Sequence, residues 1–89
     1  MNQVKVTNKS KIYVGNLPYS ATEEQLRDFF EQFGSIKESR LVMDRQTGRP
    51  RGIAFITFEA EDGASAALQA NGSDFGGRAL RVSLAEDNR

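Results

Sequence analysis

Arg51-Gly52-Ile53-Ala54-Phe55-Ile56-Thr57-Phe58 is the stretch that decides the fold. Six of its eight side chains are apolar or small, β-branched and aromatic types dominate, and turn formers precede it at Thr47-Gly48 and Pro50, so it reads as a strand. Side chains alternate along a strand, so Gly52, Ala54, Ile56 and Phe58 share one face while Arg51, Ile53, Phe55 and Thr57 share the other. The first set suits a packed core. The second combines a cation, an aliphatic group, an aromatic ring and a hydroxyl, and whether protein covers that face decides what the molecule does.

The flanking chain arranges itself around this strand. Lys11-Ile12-Tyr13-Val14-Gly15-Asn16-Leu17 reads as an earlier strand, closed by Pro18, which lacks the N–H that a central ladder needs. Ile12 and Val14 take one face; Lys11, Tyr13 and Gly15 take the other. Thr22 then opens a helix. It stands three residues before Gln25, the capping-box spacing, and Leu26, Phe29, Phe30 and Phe33 form one apolar stripe that Gly34 ends as a left-handed stop. Ser35 to Met43 is a strand of weak alternation, with Leu41 facing inward and Arg40 and Val42 facing away. Asp44 to Pro50 is an arginine-rich loop that Asp44 shapes, and Tyr19, just beyond Pro18, reads as a loop anchor over the sheet edge.

Beyond the opening stretch, Glu59 to Ala70 reads as a second helix with Ala64, Ala67 and Leu68 inward, ended by Asn71-Gly72. A loop holding Phe75, Gly76 and Gly77 leads to a last strand, Ala79 to Leu84, with Leu80, Val82 and Leu84 inward and Arg81 and Ser83 outward. Residues 1–10 read as a mobile leader and residues 86–89 as a short tail, from which Glu86 and Asn88 can fold over the sheet. The domain itself spans residues 11–85. Its order is β-α-β-β-α-β, an α+β class with the split βαβ, ferredoxin-like arrangement, and right-handed crossovers put both helices on one face of a four-stranded antiparallel sheet. The other face stays open, leaving Tyr13, Ile53 and Phe55 toward solvent, a patch that is costly unless a partner uses it.

Composition narrows the function further. A chain of 89 residues makes one domain, burying roughly 60% of its unfolded surface, with room for one site. It has no cysteine, so disulfides, thiolate metal sites and thiol nucleophiles are excluded, which suits a reducing compartment. It also has no histidine, the usual acid/base and zinc residue near pH 7. No cofactor is expected. No apolar run approaches a membrane span and the first ten residues carry no apolar signal core, so we expect a cytoplasmic monomer with no membrane contact. Net charge is zero but divided. Between Lys37 and Arg51 five cations face two carboxylates, between Glu23 and Glu31 four carboxylates face one arginine, and every charge from Glu59 to Asp74 is negative. Such a domain draws a polyanion to one surface and repels it from the rest.

The opening stretch resembles the RNP1 octamer of the RNA recognition motif, and Ile12 to Leu17 resembles its RNP2 hexamer. The spacing between them, the helix order and the Gly77-Arg78-x-Leu80-x-Val82 run extend the resemblance over about Lys11 to Ala85. It implies that Tyr13 and Phe55 hold the two base-stacking positions, that Arg51 meets backbone phosphate, and that Gly52 stands where a side chain would crowd the packed face. The third octamer position is usually aromatic and here is Ile53, which can press on a ribose or base edge but has no π-face. Lys11, Arg40, Val42, Arg81 and Ser83 complete the open face as candidate contacts. The implied partner is a few nucleotides of single-stranded RNA, with single-stranded DNA open, since no residue is identifiable as a reader of the 2′-hydroxyl.

Two other classes compete. Some domains of this family bind peptides through the acidic helical side or the sheet, and the charge-rich helices permit that here. A small hydrolase on the same fold is the other, but nothing in the sequence supplies a chemical step, for there is no histidine, no cysteine and no glycine-rich phosphate cradle before a helix.

Overall fold

The structure, a computed structural model, describes residues 6–87. Strand β1 runs Val6–Gly15, helix α1 Glu23–Phe30, strand β2 Ile36–Met43, strand β3 Pro50–Phe58, helix α2 Glu61–Ala67, strands β4 and β5 Asp74–Phe75 and Arg78–Ala79, and strand β6 Arg81–Asp87. β2, β3, β1 and β6 form one antiparallel sheet in that order, so the two strands with alternating aromatics lie at its centre. The expected α+β arrangement of four strands and two helices is the one found.

Alternation does what the sequence implies. Ile12, Val14, Ala54, Ile56, Phe58, Leu80 and Val82 are buried together with Leu26 and Phe30 of α1 and Ala64 and Ala67 of α2. Phe29, Phe33, Leu41, Leu68, Phe75 and Leu84 pack half-buried around that cluster. Phe29 meets Phe30 edge to face at 4.9 Å and Phe75 at 5.4 Å, which closes the rim of the core. α1 starts on a true capping box: the Gln25 amide donates to Thr22 Oγ1 and the Thr22 amide to Gln25 Oε1, both at 3.1 Å.

Several boundaries differ from the sequence expectation. β1 begins at Val6, inside the stretch read as leader, because Val6 pairs with Asp87 and Thr7 with Glu86 of a β6 that runs past its expected end at Leu84. Thr7, Asn8, Lys9 and Ser10 are all polar, so this part of the strand offers no apolar alternation to read, and its pairing with β6 shifts register between Thr7 and Ile12. Residues 1–5 and Asn88, with its tail contact, lie outside the described residues. The loop before β6 contains the short β4–β5 hairpin, turned by Gly76 and Gly77 at φ 60° and 90°, the left-handed pair of a type I′ turn.

Gly34 is not a left-handed stop. Its φ of 162° is extended backbone open to any residue. What requires glycine is proximity, since a Cβ there would stand 2.8 Å from Gly63 Cα on α2, where the end of the first helical segment meets the second. Replacing Gly34 by Ala should therefore cost about 1 to 3 kcal/mol of stability through overpacking. Urea unfolding followed by circular dichroism tests this, and an unchanged midpoint would contradict the close approach.

Candidate nucleic-acid interface

The face of the sheet opposite the core is laid out by register. Arg40 of β2 stands opposite Phe55 of β3, Phe55 opposite Tyr13 of β1, and Tyr13 opposite Ser83 of β6, so four candidate residues form one row across the sheet. In neighbouring positions Lys11 faces Thr57 and Gly15 faces Arg81. Tyr13, Ile53 and Phe55 are half-buried, whereas Arg40, Arg51, Arg81 and Ser83 are exposed.

The Tyr13 and Phe55 rings meet edge to face, with centroids 5.8 Å apart and planes inclined by 61°. Gly15 makes this possible: a Cβ at that position would lie 2.6 Å from the Tyr13 hydroxyl and 3.0 Å from Cζ, so the phenol ring occupies the space that a side chain would fill. Lys11 places its ammonium 5.1 Å from the Phe55 centroid, over the ring. Arg40 is loosely paired with Glu38 at 4.0 Å, both side chains being mostly exposed, a geometry that contributes little to stability.

Lys11, Arg40, Val42 and Phe55 line one recess of about 620 Å³, together with Glu38, Leu41, Met43 and Thr57. Tyr13, Arg81 and Ser83 line a second, on the β6 side, with Asn16 and Asn71 among their neighbours. Arg51 is separate. Gly52 adopts φ 81° yet keeps the alternation, itself buried while Arg51 is exposed, and Arg51 lines a cleft at the end of the sheet with Tyr19, Asp44 and Arg49. Gly52 is required there both by that φ and because a Cβ would come 3.1 Å from the Leu17 carbonyl oxygen.

Tyr19 corrects an expectation, for it is 71% exposed rather than packed as an anchor. Pro18 takes the packing role, lying so close to the β4–β5 turn that a Cβ on Gly76 would be 2.9 Å from its Cγ. Asp44 does shape its loop, accepting from the Gln46 amide at 2.8 Å while its own amide donates to the Arg49 carbonyl at 2.7 Å.

Two residues that support the face gave no clear sequence signal. Asn16, at φ 61°, donates through Nδ2 to the Ala79 carbonyl at 2.7 Å and accepts from the Arg78 guanidinium at 3.0 Å, which fixes the corner between β1 and the hairpin. An asparagine just after a strand is the hint, because it tolerates the left-handed region. Glu23 accepts from the Leu41 amide at 2.9 Å and so ties the first turn of α1 to edge strand β2.

Residues 12–81 match the RNA recognition motif family. The human cleavage stimulation factor subunit 2 tau variant is 47% identical over 79 residues, which is 88% of this chain and 13% of that protein. Glycine-rich RNA-binding protein 5, mitochondrial, of Arabidopsis thaliana is 39% identical over 87 residues, 98% of this chain and 30% of that protein. The chain thus spans less than a third of either curated relative. Among solved structures, the Rna15 RRM with bound RNA (GU) superposes at a TM-score of 0.79 and 33% identity, over 88% of this chain and 84% of that one.

The seat of Tyr13 can be tested without a ligand. Replacing Gly15 by Ala should push the phenol ring off the strand, and the nuclear Overhauser contacts between the Tyr13 and Phe55 rings should vanish while the core resonances stay in place. Persistence of those contacts would contradict the ring position.

Proposed function

The chain belongs to the RNA recognition motif family, and on that premise we propose that it binds single-stranded RNA on the open face of its sheet, by stacking bases on Tyr13 and Phe55, without a chemical step. The observation that carries this reading is the Tyr13–Phe55 pair on adjacent central strands, facing away from the core. The solved Rna15 domain with bound RNA, similar in fold and sequence, supports the same ligand class.

Geometry argues for single strands over duplex. Two rings inclined by 61° cannot each carry a base while the two bases remain parallel and stacked, so the strand must be splayed at that step. A duplex hides its π-faces and would meet only the cations. Lys11 over Phe55 is no obstacle, since a cation–π contact at an exposed site is worth roughly 0.5 to 1 kcal/mol and a stacked base roughly 1 to 3. The base wins, and the displaced ammonium is free to approach phosphate. Arg40 and Arg81 stand at the two edges of the sheet, and Arg51 reaches phosphate from its end. With Ile53 offering no π-face, the sheet supplies two plates, and it holds a strand less tightly than three would.

Replacing Tyr13 or Phe55 by Ala should cost roughly 1 to 3 kcal/mol of binding each, read by fluorescence anisotropy, with thermal unfolding little changed because neither ring belongs to the core. Unchanged affinity would remove both rings from the interface. Replacing Arg51 by Ala should weaken binding to all sequences alike and lower the slope of log affinity against log salt by about one. A change in base preference would instead make Arg51 a base reader.

A further inference from the structure

Glu38 brings a carboxylate among the cations of the open face. It lines the same recess as Lys11, Arg40, Phe55 and Thr57, and it is the one acidic residue that does so. Register places it there, for Glu38 stands opposite Thr57 while Arg40, two residues on, stands opposite Phe55. Side chains two apart on a strand share a face, so Glu38 and Arg40 project side by side along the rim of the Phe55 ring. Glu38 and Phe55 are diagonal neighbours, about 7 to 8 Å apart, which a long side chain spans.

Stability does not account for this carboxylate. It is exposed, and among the described residues its side chain has one polar contact, the loose pair with Arg40 at 4.0 Å, which contributes little. On a surface that draws a polyanion, a negative group repels phosphate and lowers affinity for every sequence alike. A compensating gain must come from a base. A carboxylate only accepts hydrogen bonds, so it is satisfied only by a base edge that donates. In a single strand the Watson–Crick edge is free to do this.

The four bases differ at that edge. Guanine offers two adjacent donors, N2–H and N1–H, followed by the acceptor O6. Uracil sets one donor between two carbonyls, and adenine and cytosine each place one amino group beside a bare ring nitrogen that would face the second carboxylate oxygen. Two acceptors from Glu38 with a donor from Arg40 beside them match guanine alone.

We propose that Glu38 selects guanine for the Phe55 plate, its two oxygens accepting from N1–H and N2–H while Arg40 donates to O6. This rests on the single-stranded RNA reading above and adds a choice of base to it. The guanine edge replaces the loose pair between the two side chains, and the phosphates keep to the Lys11 side of Thr57, away from the carboxylate.

The test uses the full chain and three labelled RNAs: a uridine heptamer and the same heptamer with one guanosine or one inosine at its centre. Anisotropy is the readout. The guanosine heptamer should bind roughly 5- to 150-fold more tightly than the all-uridine one, and inosine, which lacks the N2 amine, should lose most of that gain. Glu38→Gln and Glu38→Ala should bring all three to one affinity without weakening the all-uridine heptamer or changing thermal unfolding. A guanosine preference that survives both substitutions, or that is absent from the unaltered chain, would overturn the assignment to Glu38. Tyr13→Ala separates the two claims: if it leaves all three affinities unchanged, or if the unaltered chain binds none of the heptamers, the sheet-face reading fails and the base choice with it.

Discussion

The antiparallel ladder between β1 and β3 sets Ile12 against Ile56 and, one residue on, Tyr13 against Phe55. Because side chains alternate, a register that buries the first pair must turn the second pair outward, and a slip of one residue would exchange them. Burying Ile12 and Ile56 contributes on the order of 1.5 to 3 kcal/mol each, so the hydrophobic core itself enforces the position of the aromatic face. The platform does not need separate stabilisation. It is the reverse side of the core.

That division holds only while both helices stay on the same side. α1 is held by its capping box and by Glu23 bonding to the Leu41 amide, and α2 comes close enough for Gly63 to lie against Phe58, where a Cβ would stand 2.7 Å from the ring. Small residues line the inner face of α2, so it sits near the sheet without a thick layer of side chains between. Polar fastenings then fix the sheet's margins: Asn16 locks the hairpin beside β1, and the Asn71 side chain accepts from the Val82 amide at 2.9 Å. Charge follows the same division, with Glu24, Asp28, Glu61 and Asp62 exposed on the helices and Arg40 and Arg81 exposed on the sheet. A polyanion is repelled from one side and drawn to the other.

How much of this the sequence disclosed follows from how local each determinant is. The Thr22–Gln25 box and the alternation of Ile12 to Val14 and Ala54 to Phe58 are local, and they appear where the residues indicate. Gly34 was ambiguous because a glycine after a helix suits both a left-handed stop and a close approach, and only its distance from Gly63 decides. The alternation holds through Gly52 despite its positive φ, whereas the register shift against β2 between Leu41 and Met43 and the cleft that Arg51 lines depend on partners distant in the chain and leave no local pattern. Tyr19 could not be placed from its neighbours in sequence, since packing against the β4–β5 turn falls to Pro18, a contact about sixty residues distant in the chain. Two-residue strands such as β4 and β5 are too short to show any period, although Gly76-Gly77 marks their turn.

Which face of the sheet meets the ligand decides how the domain works. A titration of the isotopically labelled chain with short single-stranded RNA, followed by amide and side-chain NMR shifts, reads this directly. Binding on the open face should place the largest shifts on Tyr13, Arg40, Phe55, Arg81 and Ser83, with the outer faces of α1 and α2 silent. Shifts centred on Glu24, Asp28 or Ser65, or none on the sheet at saturating RNA, would contradict it.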